Sequence, residues 1–309
     1  MGITGSSHVR AGFDPSTDIP DLTGRVAIVT GANAGIGFNT VLHLARRGAK
    51  VYLGARNEAK AKAALSRLQR EGLGPLNGEV LWLKLDLSDP REARKAAEWF
   101  LEKEERLDIL GDALLHLILD KSVLMQSLLL PLMQETAKLP RTDVRIVNLT
   151  SSAHKWLVNP RFDSLASWNN TFADSWFPKM MVYAYSKLAN VLWTKELQRR
   201  LRASDSPIIC TAVHPGHVLS ERNMTRVSAW PLGSYIVGLS ALANDTPFFG
   251  AYTSVFAAAS PIVRDEAGKW EGGYVVPYGR LEECGPEGAR EDLARELWET
   301  TEKILDGIS

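Results

Sequence analysis

The sequence predicts an open, doubly wound α/β sheet folded as a single domain, and three observations carry that prediction. Short apolar runs rich in β-branched residues alternate with segments of good helix formers over the first two thirds of the chain. The first of these runs feeds a glycine-rich turn that opens directly into a helix-like segment. No linker, internal repeat or low-complexity block divides the 309 residues, a length that one large domain accommodates.

Each element follows in order. Residues 26–30 (VAIVT) form the first strand, and Val41, Leu42, Leu44 and Ala45 are the apolar stripe of a helix that stops at Gly48. Residues 50–54 (KVYLG) are the second strand; residues 57–72, rich in Ala, Lys, Leu and Arg, are the second helix. Residues 80–85 (VLWLKL) are the third strand. Asp89, Pro90 and Glu92 take the N-cap, N1 and N3 positions of a third helix that runs to about residue 103. Residues 107–110 (LDIL) form a fourth strand that gives way at Gly111-Asp112, and the apolar run 114–119 is expected to pack against the sheet as helix or strand. A fifth strand at 144–149, a helix over 182–202 and a sixth strand at 207–213 follow. Strands separated by helices pair in parallel through right-handed crossovers. Residues 1–20 read as a loose, polar lead-in to one domain over 21–309.

Composition excludes several classes of function. Lys+Arg and Asp+Glu each total 36, whereas a nucleic-acid partner favours a basic excess. Two cysteines, Cys210 and Cys284, make no disulfide framework and point to a reducing, cytoplasmic setting. The N-terminus has no apolar core of the signal-peptide type. The most apolar window, 113–133, is interrupted by Asp120 and Lys121, so no membrane span is expected. The sequons at 148–150, 169–171 and 223–225 are read as chance matches. No metal site is expected, and the oligomeric state is open.

The turn after the first strand is TGANAGIG, residues 30–37, with Gly31, Gly35 and Gly37 spaced G-x-x-x-G-x-G. Small residues let backbone N–H groups approach a pyrophosphate, and a helix N-terminus favours the negative charge. Gly31, Asn33, Gly35, Ile36 and Gly37 are therefore candidate cofactor contacts; the alternative is a turn that binds nothing. The second strand ends in Ala55-Arg56 with no carboxylate before Glu58. An Arg at that place accepts a ribose 2′-phosphate, where an acid would grip a 2′-hydroxyl. Arg56 thus points to NADP(H), unless it is simply a solvated cation. Asp86, past the third strand, is placed either to meet the adenine edge or to close a turn.

MVYAYSKLAN, residues 181–190, holds Tyr183 and Lys187 one helical turn apart. That spacing puts both on one face, while Tyr185 faces away. A tyrosine pKa of about 10 is too high for a proton shuttle near neutrality, and an adjacent ammonium favours the phenolate. The alternative is a core tyrosine beside a surface lysine. NLTSSAH, residues 148–154, lies at the C-terminal end of the fifth strand, where ligands of such sheets bind. The sixth strand ends in VHPGHVLS, residues 213–220, a turn suited to backbone contacts with a nicotinamide carboxamide. Trp156, Trp168, Trp176 and Phe177 are expected to overhang the site, with Trp230, Phe248 and Phe249 completing an apolar pocket; local core is the alternative for all of them.

These motifs, in this order, resemble the short-chain dehydrogenase/reductase family over about residues 21–280. RIVNLTSSAH, YSKLANVLWTKEL and GAYTSVFAAASP with GGYVVPYGR look most like its retinol-dehydrogenase-like branch, especially fungal members, many of which act in secondary metabolism. The resemblance implies a Rossmann fold and reversible hydride transfer between NADP(H) and an alcohol/carbonyl pair on a hydrophobic or aromatic small molecule. It implies that Tyr183 is the general acid/base and that Lys187 lowers its pKa and holds the nicotinamide ribose. It assigns the substrate-binding hydroxyl to Ser151, with Ser152 as runner-up, and the carboxamide and phosphate contacts to Val218 and Ser220. The chain departs from the family after the fourth strand: GDAL stands where an N-N-A-G turn is usual, and Ile118 falls at a catalytic asparagine position, with Ser122 at a later polar one. That departure keeps open a second reading, a nucleotide-binding Rossmann protein with impaired turnover.

Overall fold

Five consecutive apolar or β-branched residues, buried along the whole length, make the strand β1 (Val26–Thr30), as expected of a strand covered on both faces. A computed structural model describes residues 12–112, 119–218 and 246–307 of the chain. Among these, β1, β2 (Lys50–Ala55), β3 (Val80–Lys84), β4 (Ile109–Asp112), β5 (Arg145–Leu149), β6 (Ile209–Val213), β7 (Tyr274–Val276) and β8 (Arg280–Glu282) form one sheet in the order β3-β2-β1-β4-β5-β6-β7-β8. All neighbours pair in parallel except β7 and β8. The winding reverses between β1 and β4, which opens a crevice at the C-terminal ends of those strands.

The helices are α1 (Gly35–Arg46), α2 (Glu58–Glu71), α3 (Pro90–Leu101), α4 (Leu119–Lys138), α5 (Leu165–Trp168), α6 (Pro178–Ala203), α7 (Pro247–Ala259), α8 (Pro261–Asp265), α9 (Ala267–Trp270), α10 (Gly285–Gly288) and α11 (Glu291–Asp306). Local chemistry starts two of them where the sequence indicates. The Asn57 side chain accepts from Lys60 N at 2.9 Å at the head of α2. Asp89 accepts from Arg91 N at 2.9 Å, with Pro90 in the first turn of α3. Two apolar layers sandwich the sheet. One joins it to α3, α4, α6 and α11 through residues such as Phe100, Met133, Leu188 and Leu297; the other joins it to α1, α2 and α7 through Phe38, Leu42, Leu68 and Val255.

Three features differ from the sequence reading. The fourth strand does not stop at Leu110: Gly111 and Asp112 extend it, because Asp112 is paired with Thr30 on one side and Asn148 on the other. Pairing on both edges outweighs the weak strand preference of Gly and Asp. The β7–β8 hairpin was not anticipated; each strand has only three residues. The described part of the lead-in, 12–20, is docked: Phe13 and Ile19 are buried, and Phe13 meets Phe256 edge-on at 5.2 Å. Most of the apolar run 114–119 lies outside the described residues. No described helix is long and apolar enough to cross a membrane.

Candidate active site

The glycine turn is built for close approach. Gly31 and Gly35 adopt φ of +61° and +62°, values that favour glycine. A Cβ on Gly37 would lie 2.8 Å from the Gly31 carbonyl oxygen and 2.9 Å from Ala32 Cα, so the turn can wrap the helix start only with glycine there. Ala34, the N-cap of α1, offers no side-chain hydrogen bond. The first N–H groups of α1 therefore face a cradle with no side-chain oxygen competing for them, and that cradle fits a pyrophosphate. Ile36 is buried beneath the turn, and Asn33 is half-buried within it.

At the end of β2, Arg56 is exposed. Asp86 closes a turn: its Oδ1 accepts from Ser88 N at 2.8 Å and from Ser88 Oγ at 2.6 Å. Those bonds, with the positive charge of Arg56 nearby, hold its carboxyl below the usual range. Of the two readings of Asp86, these bonds are those of the turn-closing one, with Arg56 in the carboxylate's field.

Tyr183 and Lys187 lie on one face of α6 beside the end of β5. Lys187 is 1% exposed, and its Nζ donates to the Leu149 carbonyl oxygen at 2.9 Å. Asn190 Nδ2 donates to the same oxygen at 2.9 Å, and Thr150 Oγ1 donates to the Lys187 carbonyl at 2.7 Å. Lys187 Nζ stands 5.9 Å from the centre of the Tyr183 ring. Burial lowers the Lys187 pKa to about 8, and the negative charge of Asp112 opposes that shift. Burial raises the Tyr183 pKa, and the nearby Ser151 hydroxyl opposes that shift. Ser151 is thus the side chain that acts on the phenol, and Lys187 sits beside the ring. Ser152 belongs to the 3₁₀ turn Ser152–Trp156, which Ser151 caps. Tyr185 points elsewhere: its hydroxyl donates to the Arg161 carbonyl at 2.5 Å, and its ring stacks on Phe162 at 4.4 Å.

The carboxyl end of β6 leads to Val218, whose Cγ2 would lie 2.5 Å from a Cβ on Gly250. Ser220, Trp230 and Ile118 lie outside the described residues. The aromatic residues divide. Trp156, Trp176 and Phe177 are exposed, the last two immediately before α6. Trp168 is half-buried, with its Nε1 donating to the Phe162 carbonyl at 3.3 Å. Phe248 packs 4.6 Å from the His43 ring on the α1 side of the sheet, and Phe249 packs on Phe248 and Tyr252. Phe248 is therefore a packing partner of α1, and the sequence pattern alone had no means of choosing the face.

Two residues at the site escaped the sequence reading. His154 Nδ1 lies 2.6 Å from the Ser151 carbonyl oxygen and Nε2 2.8 Å from that of Cys284, joining the Ser151 turn to the C-terminal segment. Asp112 is buried at the end of β4 and accepts from Thr30 Oγ1 at 2.5 Å. The NLTSSAH run contains His154, but its second partner is too distant in sequence to be inferred.

The chain is similar to known proteins. The family described as short chain dehydrogenase matches residues 25–113. A short-chain dehydrogenase/reductase of Armillaria gallica is 47% identical over 97% of this chain and 98% of its own length. Another, from Colletotrichum higginsianum, is 34% identical over 94% of this chain and 77% of its own. Human dehydrogenase/reductase SDR family member 13 is 32% identical over 94% and 75%. Among solved structures, an uncharacterized protein from Mycobacterium paratuberculosis superposes with a TM-score of 0.65 at 26% identity, over 94% of this chain and 97% of that one. L-Sorbose reductase from Gluconobacter frateurii, solved with NADPH and L-sorbose, superposes at 0.62 with 18% identity over 86% and 98%, a likeness of fold. With relatives this similar over nearly its whole length, the chain belongs to the short-chain dehydrogenase/reductase family of Rossmann-fold oxidoreductases.

Proposed function

We propose that the chain is an NADP(H)-dependent oxidoreductase that interconverts an alcohol and a carbonyl on a small hydrophobic or aromatic molecule, of the kind used in fungal secondary metabolism. The observation that carries this reading is Tyr183 one turn before a buried Lys187, whose Nζ stands 5.9 Å from the centre of its ring, at the carboxyl end of the sheet. The backbone of residues 31–37 and the start of α1 bind the pyrophosphate, with Asn33 and Ile36 shaping the turn. Arg56 pairs with the 2′-phosphate, and Asp86 flanks the adenine. Val218 and Ser220 hold the carboxamide and phosphate on the far side. When bound, NADP(H) supplies or accepts a hydride at its nicotinamide ring.

Ser151 donates a hydrogen bond to the substrate oxygen and keeps it against Tyr183. Tyr183 gives its phenolic proton to that oxygen in reduction and takes it back in oxidation. Lys187 binds the nicotinamide ribose, and its charge favours the phenolate. The exposed Trp176 and Phe177 before α6 support an apolar substrate.

The test is NADPH oxidation, followed optically with a panel of aliphatic and aromatic aldehydes and ketones. Carbonyl-dependent consumption that disappears in Tyr183→Phe is expected. The sequence at Ile118, an apolar residue at the asparagine position, favours a second reading in which nucleotide binds without turnover. Tight NADPH binding with no consumption across the panel would select it.

A further inference from the structure

A row of polar side chains crosses the carboxyl edge of the sheet. Thr30, Asp112 and Asn148 are register partners on β1, β4 and β5, and laterally paired residues of parallel strands project to the same face. That face is the one covered by α4 and α6: Asn148 Oδ1 accepts from Gln126 Nε2 at 2.6 Å, and its Nδ2 donates to Thr194 Oγ1 at 3.0 Å. Lys187 descends from α6 onto this same face, and its ammonium holds the carbonyl of Leu149, the residue after Asn148. Asp112 is 7% exposed and Lys187 1% exposed, so opposite charges are buried on one face, a strand apart. Resting on the functional reading above, we propose that Asp112 is a positioning residue whose carboxylate keeps Lys187 charged and in place for its work on Tyr183 and the cofactor ribose.

The physical need is plain. An ammonium removed from water sheds its proton unless a counter-charge is near. Among the described residues Nζ meets the Leu149 carbonyl from β5 and the Tyr183 ring of its own helix, neither of them a carboxylate; Asp112 from β4 supplies the opposing field. Thr30 fixes that carboxylate by donating to one of its oxygens at 2.5 Å. The Gly-Asp pair that reads as a strand break therefore places a negative charge where the ammonium requires one.

The test needs no substrate. The full chain, labelled with [ε-¹³C]lysine, is titrated by NMR, and Lys187 is assigned from its loss in Lys187→Met. Asp112→Asn is nearly isosteric and keeps an acceptor for Thr30; its Lys187 midpoint is expected to fall by about one pH unit or more from the native value. An unchanged midpoint in folded Asp112→Asn overturns the proposal. Should that variant fail to fold, Lys187→Met gives the second arm. It removes the ammonium that faces the buried Asp112 carboxylate. Its melting temperature should fall relative to the native chain as pH rises above about 4; a parallel dependence in the two chains overturns the proposal. NADPH titration of the native chain separates this inference from the function it rests on. A shifted midpoint with no NADPH binding leaves the Asp112–Lys187 pair standing and removes the cofactor reading.

Discussion

The ammonium of Lys187 rests 2.9 Å from the carbonyl oxygen of Leu149, and this contact sets the rotation of α6 over the end of β5. With Lys187 pinned there, the residue one turn earlier, Tyr183, shares its face, the ammonium standing 5.9 Å from the ring centre. Tyr185 is turned toward the loop at Arg161 and Phe162. Two tyrosines separated by one residue thus have separate settings: Tyr185 anchors the loop, and Tyr183 is left for the proton transfer proposed above.

Tyr183→Phe should abolish turnover and leave NADPH affinity within a few-fold of native. Tyr185→Phe should keep most of the turnover and lose about 1 kcal/mol of stability, the worth of one hydrogen bond. Steady-state kinetics and urea unfolding of both variants check this, and equal losses of activity would show that the rotation of α6 does not select between them.

Arg56 should choose the nucleotide. Its guanidinium is exposed, and a carboxylate in its field, Asp86, is already engaged with Ser88. NADPH should bind more tightly than NADH, and Arg56→Ala should erode the difference by about 1–3 kcal/mol. Fluorescence titration of both nucleotides is the measurement; equal affinities in the native chain would refute the assignment.

What was readable in the sequence was what is local. Strand β1 and the caps Asn57 and Asp89 lie where a few neighbouring residues put them, and Tyr183 and Lys187 share a face because the helical repeat requires it. The unread features are those that depend on distant chain. Strand β4 continues through Gly111 and Asp112 because β1 and β5 flank it. Phe248 packs on α1 because α7 crosses the face away from Tyr183. His154 acquires Cys284 from the far end of the chain. None of these leaves a periodic trace in the sequence around it.

Acid should destabilise the fold through its buried histidines. His43, on α1, lies between Phe248 and Tyr252, and burial pushes its pKa down to about 4. In the unfolded chain the same group titrates near 6.5. The stability it contributes as a neutral ring is complete above about pH 6.5 and is lost as pH falls toward 4, because the unfolded chain takes up the proton first. His214, also brought to about 4 by burial, adds a second increment of the same sign. His43→Phe should therefore change stability little at pH 7 but shrink the loss between pH 7 and pH 5 by about 2 kcal/mol. Urea unfolding at the two pH values tests it; an undiminished loss in the variant would show that His43 is protonated in the folded chain.

Gly111 lies in β4 next to a small, mostly apolar void of about 10 Å³, lined by Val29, Ile109, Val147, Leu149 and Ala258 together with Thr40, Ser254 and Asp112. Strand geometry points its missing side chain to the face opposite Asp112. A Cβ there would come no nearer than 3.7 Å to any atom, the closest being the Ile28 carbonyl oxygen, which is an ordinary contact. Its backbone is not in the left-handed region, so a side chain can be added without strain. Gly111→Ala should stabilise the chain by about 1 kcal/mol, since it restricts the unfolded backbone and adds one buried methyl group. The charge row on the other face would be untouched, so NADPH affinity and any turnover should be unchanged. A lower unfolding free energy in urea would show that β4 cannot accept a side chain at this point. A gain in stability accompanied by lost nucleotide binding would show that the void belongs to the cofactor cradle and not to the core.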